Sequence, residues 1–139
     1  MISLEQARVI IGATRSQGRT MNLAPLTVVV LDAGGHVVAM EREDGASYGR
    51  PEIAIGKAAG ALAMGVSSRK LGEMAAERPQ FIAALGTAWD GKLIPAAGGV
   101  IVKTDDGTVL GAVGVTGDVS DKDEEAAMAG ISAAGLVAG

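Results

Sequence analysis

The sequence predicts a mixed α/β (α+β) domain in which helices pack on one face of an antiparallel, five-stranded sheet. Helical and strand-like patterns follow one another in the order helix, strand pair, helices, strand pair, helix. Because the strands arrive as hairpins and do not alternate singly with helices, antiparallel pairing is favoured. The chain has 139 residues, 48% of them apolar and 20% charged, which is enough to bury a core. We expect a single domain over residues 1–139.

The first helix is predicted over residues 4–20, and a hairpin follows it. Ser3 and Gln6 have the spacing of a capping box, and apolar residues recur behind them with a helical period. Residues 26–31 form a β-branched run, Asp-Ala-Gly-Gly supplies the turn, and the apolar pattern resumes over residues 36–40.

A helix rich in alanine and glycine is predicted over residues 51–66. Pro51 suits the first helical position. Gly56 and Gly60 lie four residues apart, although an interior glycine costs about 1 kcal/mol of helix propensity. Their spacing therefore indicates that another segment approaches this helix closely.

Shorter elements are predicted between the second helix and the second hairpin. Ser67 or Ser68 caps a helix over residues 69–77. Pro79 begins one further turn, and residues 86–91 form a loop.

The remaining strands are predicted in a second hairpin and a short edge strand. Residues 98–103 and 108–115 are apolar and flank Asp-Gly, a strong turn signal. Leu93-Ile94 is the candidate for the fifth strand.

The last helix is predicted to begin at Ser120, which would cap it. Its first turn holds an acidic cluster that would complement the helix dipole. The cluster consists of Asp121, Asp123, Glu124 and Glu125.

Charge and cysteine content exclude several classes of protein. The chain has 12 Lys and Arg against 16 Asp and Glu, a formal charge of −4, and no basic cluster suited to a phosphate backbone. We therefore expect no nucleic-acid partner. The absence of cysteine excludes disulfides, thiolate nucleophiles and cysteine-ligated metal centres.

No segment predicts a membrane span or a secretion signal. The apolar run at residues 26–31 is far shorter than the roughly 20 residues that cross a bilayer. Residues 1–20 include Glu5, Arg8 and Arg15 and lack the apolar run of a signal peptide. We expect a cytoplasmic protein with no membrane partner.

Two side chains are candidates for chemistry because of where they lie in these patterns. His36 is the only histidine, at the start of a strand, and is a candidate ligand-binding residue as well as a surface residue. Lys57 lies in the alanine-rich helix, where a desolvated amine could act in acid–base or Schiff-base chemistry or bind an anion. A side chain that snorkels to solvent explains Lys57 equally simply.

A cleft between separate segments is the corresponding hypothesis. Lys57 would supply positive charge, Gly98 and Gly99 backbone amides, and Asp32 a proton acceptor or an orienting partner. Asp32 also suits the start of a turn. An enzyme would further require Glu124 in the same cavity.

Several of these motifs together resemble the GlcG/HbpS-like family, also called DUF336, which includes the C-terminal domain of PduO-type proteins. The resemblance covers nearly the whole chain. The matching segments are 29–39 with the family's VVDAGGHLLA hairpin, 42–46 with RMDGA, 55–58 with A-x-x-KA, 98–100 with GGVP, 111–117 with GAIGVSG, and 123–124 with DE.

The resemblance implies a profilin-like fold and a homo-oligomer, from dimer to octamer. Some members bind haem, and others belong to catabolic operons. The axial options for haem in this chain are His36, Met40 and Met64, with lysine and tyrosine as unusual alternatives.

Three functions follow as hypotheses. The first is a small-molecule-binding protein, for haem, a related tetrapyrrole or a small anionic metabolite. The second is a cofactor-independent enzyme that acts on a carbonyl or carboxylate metabolite. The third is a purely structural oligomer.

Overall fold

A computed structural model describes residues 1–139 as five helices and five strands. The helices are α1 (Leu4–Thr20), α2 (Arg50–Met64), α3 (Ser68–Glu77), α4 (Pro79–Ala88) and α5 (Ser120–Ala133). The strands are β1 (Thr27–Asp32), β2 (Val37–Arg42), β3 (Gly99–Lys103), β4 (Val109–Thr116) and β5 (Val137–Ala138).

The five strands form one antiparallel sheet in the order β2-β1-β4-β3-β5. The two predicted hairpins, β1–β2 and β3–β4, are adjacent in the sheet because β1 pairs with β4. The predicted fold class, an α+β domain with a five-stranded antiparallel sheet, is confirmed.

The larger part of the core lies between the sheet and helices α1 and α5. Val28 and Val30 of β1 and Val113 and Val115 of β4 point to this side and pack with residues such as Ile10. Burial of each such aliphatic side chain contributes roughly 1.5–3 kcal/mol. The capping box that begins α1 is confirmed by reciprocal hydrogen bonds between Ser3 and Gln6.

The expectation that helices cover only one face of the sheet is wrong. Val29 and Leu31 of β1 point to the opposite face, where they pack against Ala54 and Ala58 of α2. A strand buried on both faces reads as a continuous apolar run instead of an alternating one. The apolar run at residues 26–31 has that form, so it was the signal in the sequence that helices cover both faces of the sheet.

The segment that approaches α2 is the stretch after α4. A Cβ on Gly60 would lie 3.1 Å from Cα of Leu93, and one on Gly56 would overlap with the side chain of Ile94. The Ile94 amide donates to the Gly56 carbonyl at 3.1 Å. The glycine spacing therefore allows this crossing, as the sequence indicated.

The predicted edge strand at Leu93-Ile94 is wrong. This segment lies on the outer side of α2, and Leu93 is buried against Leu71 and Ile82. The fifth strand is the C-terminal pair Val137–Ala138, which pairs with β3. A two-residue strand is too short for a periodic signal.

Two boundaries also differ from the expectations. Pro79 begins a ten-residue helix, α4, that runs into the predicted loop and ends at Ala88. The last helix is capped at Val119, not at Ser120, and no side chain makes the capping hydrogen bond. The Asp118 amide instead donates a hydrogen bond to the Asp123 carboxylate at 3.0 Å.

None of the helices combines the length and the apolar character that a bilayer crossing requires.

Candidate functional site

Lys57 and Asp123 meet at the end of β4. Lys57 lies in the middle of α2, only 3% exposed, and Asp123 lies in the first turn of α5, 1% exposed. Lys57 Nζ donates to Asp123 Oδ2 at 3.2 Å and to the carbonyl of Val115 at 2.9 Å. The snorkelling interpretation of Lys57 is therefore wrong.

Burial shifts the pKa of both members of this pair. Desolvation lowers the pKa of Lys57, while the charge of Asp123 and its hydrogen bond act in the opposite direction. Desolvation raises the pKa of Asp123, opposed by the backbone amide of Asp118 and by Lys57. Because a buried charge without a partner is costly, each group makes the burial of the other tolerable.

The glycine pair lies beside Lys57. Gly98 has φ +129°, and a Cβ at this position would lie 2.9 Å from Lys57 Nζ. The Gly99 amide, however, donates to the buried Ser68 hydroxyl at 2.6 Å. The structure thus brings Lys57 and the glycines together, but one of the two amides proposed as anion donors already has a partner.

Glu124 lies on the outer side of this region, in an exposed ion-pair cluster. Arg69 of α3 donates to Glu124 at 3.0 and 3.1 Å and to Asp121 at 2.6 Å. These contacts join α3 to α5. The acidic cluster at the start of α5 therefore serves three separate partners, because Asp123 binds Lys57 and Glu125 lies 3.5 Å from Lys122.

Asp32 lies at the other end of the sheet. It pairs with Gly111 of β4, whereas Lys57 reaches Val115, four residues further along that strand. At about 3.4 Å per residue the two positions are about 14 Å apart. The single cleft that the sequence predicts, with Asp32 beside Lys57, is therefore not formed.

The carboxylate of Asp32 organises the β1–β2 turn. Its Oδ1 accepts hydrogen bonds from the amides of Gly34 and His36, both at 3.0 Å. These bonds hold the pKa of Asp32 below its usual value, the His36 amide being the main cause. The imidazole Nδ1 of His36 lies 3.4 Å from the same oxygen, and the side chain is 82% exposed.

A cleft of about 300 Å³ opens beside this turn. One side is formed by the turn itself, including His36, and the other by the C-terminal half of α2 and the segment after α4. The lining residues are Ala33, Gly34, Gly35, His36, Ala59, Leu62, Ala63, Trp89 and Lys92.

Two residues of this cleft, Trp89 and Lys92, have large side chains suited to ligand contact and were not identified as site residues from the sequence. Trp89 is 41% exposed and is the only tryptophan, and Lys92 supplies a cation. The signal that could have found Trp89 is the rarity of aromatic residues, since an exposed ring in so aromatic-poor a chain suggests a contact outside the core. No local pattern distinguishes Lys92 from the other basic residues.

No group of three histidine, aspartate or glutamate side chains converges in a way that could hold a metal ion. Of the alternative axial candidates, Met40 is 39% exposed on β2, and Met64 packs beside the cluster of Leu71, Ile82 and Leu93. Neither methionine lines the cleft.

Comparison with known proteins gives a family match over most of the chain. The model of the family described as "Haem degrading protein HbpS-like" matches residues 2–132. No curated protein matches the chain at the level of sequence.

Solved structures with the same fold are similar over nearly their full length. A PduOC:heme complex has a TM-score of 0.86 at 23% identity and covers 98% of this chain and 96% of its own. The Klebsiella pneumoniae protein ORFY of family DUF336 has a TM-score of 0.86 at 24% identity, covering 96% and 90%. HbpS itself has a TM-score of 0.80 at 26% identity, covering 94% and 88%.

Proposed function

The chain belongs to the HbpS-like family, and from that premise we propose that it binds haem or a related tetrapyrrole in the cleft beside His36. One observation carries the proposal. The only imidazole of the chain lies on the wall of a cleft whose other residues are mainly small or apolar, with one cation. Sites for flat cofactors combine these features.

The residues present fit such a ligand. Asp32 lies at Nδ1 of His36, which leaves Nε2 as the nitrogen suited to an iron, and a carboxylate partner increases the basicity of a ligating imidazole. Leu62 and Trp89 provide apolar surface for a ring system, and Lys92 provides charge for a propionate. Haem would bring redox and gas-binding chemistry, whereas the chain would position it.

The size of the cleft sets a limit on burial. Its volume of about 300 Å³ lies at the lower end of the range for small-molecule sites. A tetrapyrrole held there would keep one edge in solvent.

The relatives support this choice of ligand class. One structural neighbour is a heme complex, and the description of the family model names a haem-degrading protein. Neither comparison assigns an axial residue to this chain, and His36 is our assignment from the cleft.

The alternative, an enzyme that uses Lys57, Asp32 and Glu124 together, is less well supported. Lys57 is buried in an ion pair, Glu124 is bound to Arg69, and Asp32 lies at the opposite end of the sheet. The cleft beside His36 is not lined by Lys57.

Titration with haemin tests the proposal. The wild type is expected to show a saturable Soret change at one haemin per chain, and His36→Ala is expected to weaken binding at least tenfold. Met40→Ala and Met64→Ala serve as matched controls that remove the other axial candidates and should bind as the wild type does. Iron-free protoporphyrin separates ring binding from iron ligation.

The outcomes separate the parts of the proposal. A wild type that does not saturate with haemin overturns it. Equal binding by His36→Ala and the wild type would remove the axial role of His36, and a defect in Met40→Ala or Met64→Ala would assign that role elsewhere.

A further inference from the structure

Arg42 and Arg50 are arginines that form no ion pair within the chain. Arg42 is the last residue of β2, and Arg50 is the first residue of α2. The arginines that do form ion pairs are Arg15, Arg19 and Arg69. Arg50 is half-buried, and a partly desolvated cation is stabilised by an anion close to it.

A row of side chains crosses the end of the sheet next to these arginines. Thr27 of β1 pairs with Arg42 of β2 on one side and with Thr116 of β4 on the other. Side chains of directly paired residues share one face of the sheet. This is the face that α2 covers, because Val29, two residues after Thr27, packs against that helix. Arg50 Nη1 donates to the Thr116 hydroxyl at 2.8 Å, so Thr27 lies between the two positions that hold an arginine.

The hydroxyl of Thr27 has no hydrogen-bond partner in the chain. Thr27 is completely buried, and its Oγ1 and that of Thr14 are the two buried side-chain oxygens without a partner. A buried hydroxyl without a partner is destabilising, whereas valine has the same shape and no such cost. An acceptor oxygen placed between the two arginines would give the Thr27 hydroxyl a partner.

The N-terminal end of α2 adds positive potential at this place. The helix has 15 residues, its N-cap Gly49 makes no side-chain hydrogen bond, and Pro51 in its first turn has no N–H group. The helix dipole therefore remains uncompensated by a capping side chain, and such an end favours an anion.

The acidic residues near this end of the sheet do not neutralise the two arginines. Glu43 is held by two arginines of α1, Asp118 accepts from two backbone amides, and Asp123 binds the buried lysine of α2. Asp44 and Glu52 are exposed on neighbouring segments. Because solvent screens exposed charges, these two carboxylates offset the half-buried guanidinium only weakly.

We propose that Arg42, Arg50 and the Thr27 hydroxyl bind a phosphate group at the N-terminal end of α2, either inorganic phosphate or the phosphate of a small monoester. Guanidinium groups match phosphate oxygens in geometry and in charge. Both ligands have three or more oxygens that accept hydrogen bonds, one for each of the three donor groups. A carboxylate has two oxygens and would leave one donor group unpaired.

This site is separate from the cleft beside His36. Thr27 begins β1 and Asp32, which holds the turn of His36, ends it; the two positions are about 17 Å apart at about 3.4 Å per residue. None of the three proposed donor residues lines that cleft. The phosphate site therefore does not depend on the haem proposal.

Calorimetric titration with inorganic phosphate and with methyl phosphate, at constant ionic strength, tests the site. The wild type is expected to bind one phosphate per chain saturably, and the tighter of the two ligands identifies the source of the group. Arg42→Gln and Arg50→Gln should each weaken binding about tenfold or more. Arg8→Gln removes the same charge from an exposed residue of α1 that forms no ion pair, and it should bind as the wild type does.

A second pair of variants removes only a hydroxyl. Thr27→Val should weaken phosphate binding about tenfold, while the thermal midpoint without phosphate stays equal or rises because an unpaired buried hydroxyl is lost. Thr14→Val makes the same change at the other unpartnered hydroxyl, which faces Gly130 of α5. It should leave the phosphate affinity unchanged.

Four results would overturn the proposal: a wild type that does not saturate with either phosphate, tighter binding of acetate than of phosphate, arginine variants that bind as Arg8→Gln does, or Thr27→Val with wild-type affinity. Circular dichroism of Arg50→Gln separates a lost ligand contact from unfolding. Haemin is titrated in parallel and should bind all these variants equally, so failure of the phosphate site and failure of the haem proposal are seen separately.

Discussion

Lys57 and Asp123 form an ion pair, Nζ to Oδ2 at 3.2 Å, that is almost completely removed from solvent. Lys57 lies on α2, which covers one face of the sheet, and Asp123 lies on α5, which covers the other. The pair therefore joins the two helical layers at the end of β4, where Lys57 also binds the Val115 carbonyl. This position gives Lys57 a structural role that does not require a substrate.

Removal of one member of the pair is expected to destabilise the protein strongly. Lys57→Met or Asp123→Asn should each lower the free energy of unfolding by about 3–5 kcal/mol, because the other group stays buried without its partner. The double variant should lose less than the sum of the two. Urea unfolding measures all three, with Lys122→Met as the control in an exposed ion pair. Additive losses would contradict the coupling.

Two glycines of β4 are expected not to tolerate a side chain. A Cβ on Gly114 would overlap with the Ala54 carbonyl of α2, and one on Gly111 with the Leu31 carbonyl of β1. Gly111→Val and Gly114→Val should each cost at least about 3 kcal/mol, the upper range for overpacking. The control is Gly12→Ala in α1, where no atom beyond the neighbouring backbone of the helix itself lies within 4 Å of the added Cβ. Unchanged thermal midpoints in both valine variants would refute this account.

Asp32 is expected to act as a positioning residue for His36. Asp32→Asn keeps an oxygen for the amides of the turn but loses the negative charge beside Nδ1. Haemin affinity should fall roughly 10- to 100-fold, with an altered Soret band, while the thermal midpoint should fall no further than it does when another turn carboxylate is lost. The same substitution at Asp106, in the other hairpin turn, is the control and should leave haemin affinity unchanged. Equal losses of haemin affinity in the two variants would instead indicate a purely structural role.

The β3–β4 turn is expected to make stability depend on acid pH. Hydrogen bonds from the hydroxyls of Thr104 and Thr108 lower the pKa of Asp106 to about 2. Because the folded state lowers this pKa, the ionised carboxylate stabilises the fold above pH 3.8, its ordinary pKa, and the contribution disappears as the pH falls towards about 2. Urea unfolding at several pH values should show Asp106→Asn less stable than the wild type near neutrality and equal to it in strong acid. A stability difference between Asp106→Asn and the wild type that does not change with pH would contradict this account.

Local chemistry was sufficient to predict most elements of the fold. Three signals act within a few residues and can therefore be predicted from the sequence alone. They are the capping box at Ser3, Pro51 at the start of α2 and the Asp-Gly turn between β3 and β4. The resemblance to the GlcG/HbpS-like family predicted the fold class and the family, and the match of the family model over residues 2–132 confirms the family. Two of the errors occurred where local signals are weak, at the two-residue strand β5 and at the start of α5, where no side chain makes a capping hydrogen bond.

The sequence by itself determined the helices and hairpins, the need for a close approach at Gly56 and Gly60, and Lys57, Asp32 and His36 as the polar residues to examine. Only the tertiary structure decided which of them meet. The partner of Lys57 lies 66 residues away and Trp89 reaches the cleft from beyond α4, so no local period encodes either contact. Strand pairing and helix packing decided the rest. Asp32 pairs with Gly111 of β4, whereas Lys57 reaches Val115 four residues further along that strand, so the two side chains cannot share one small ligand.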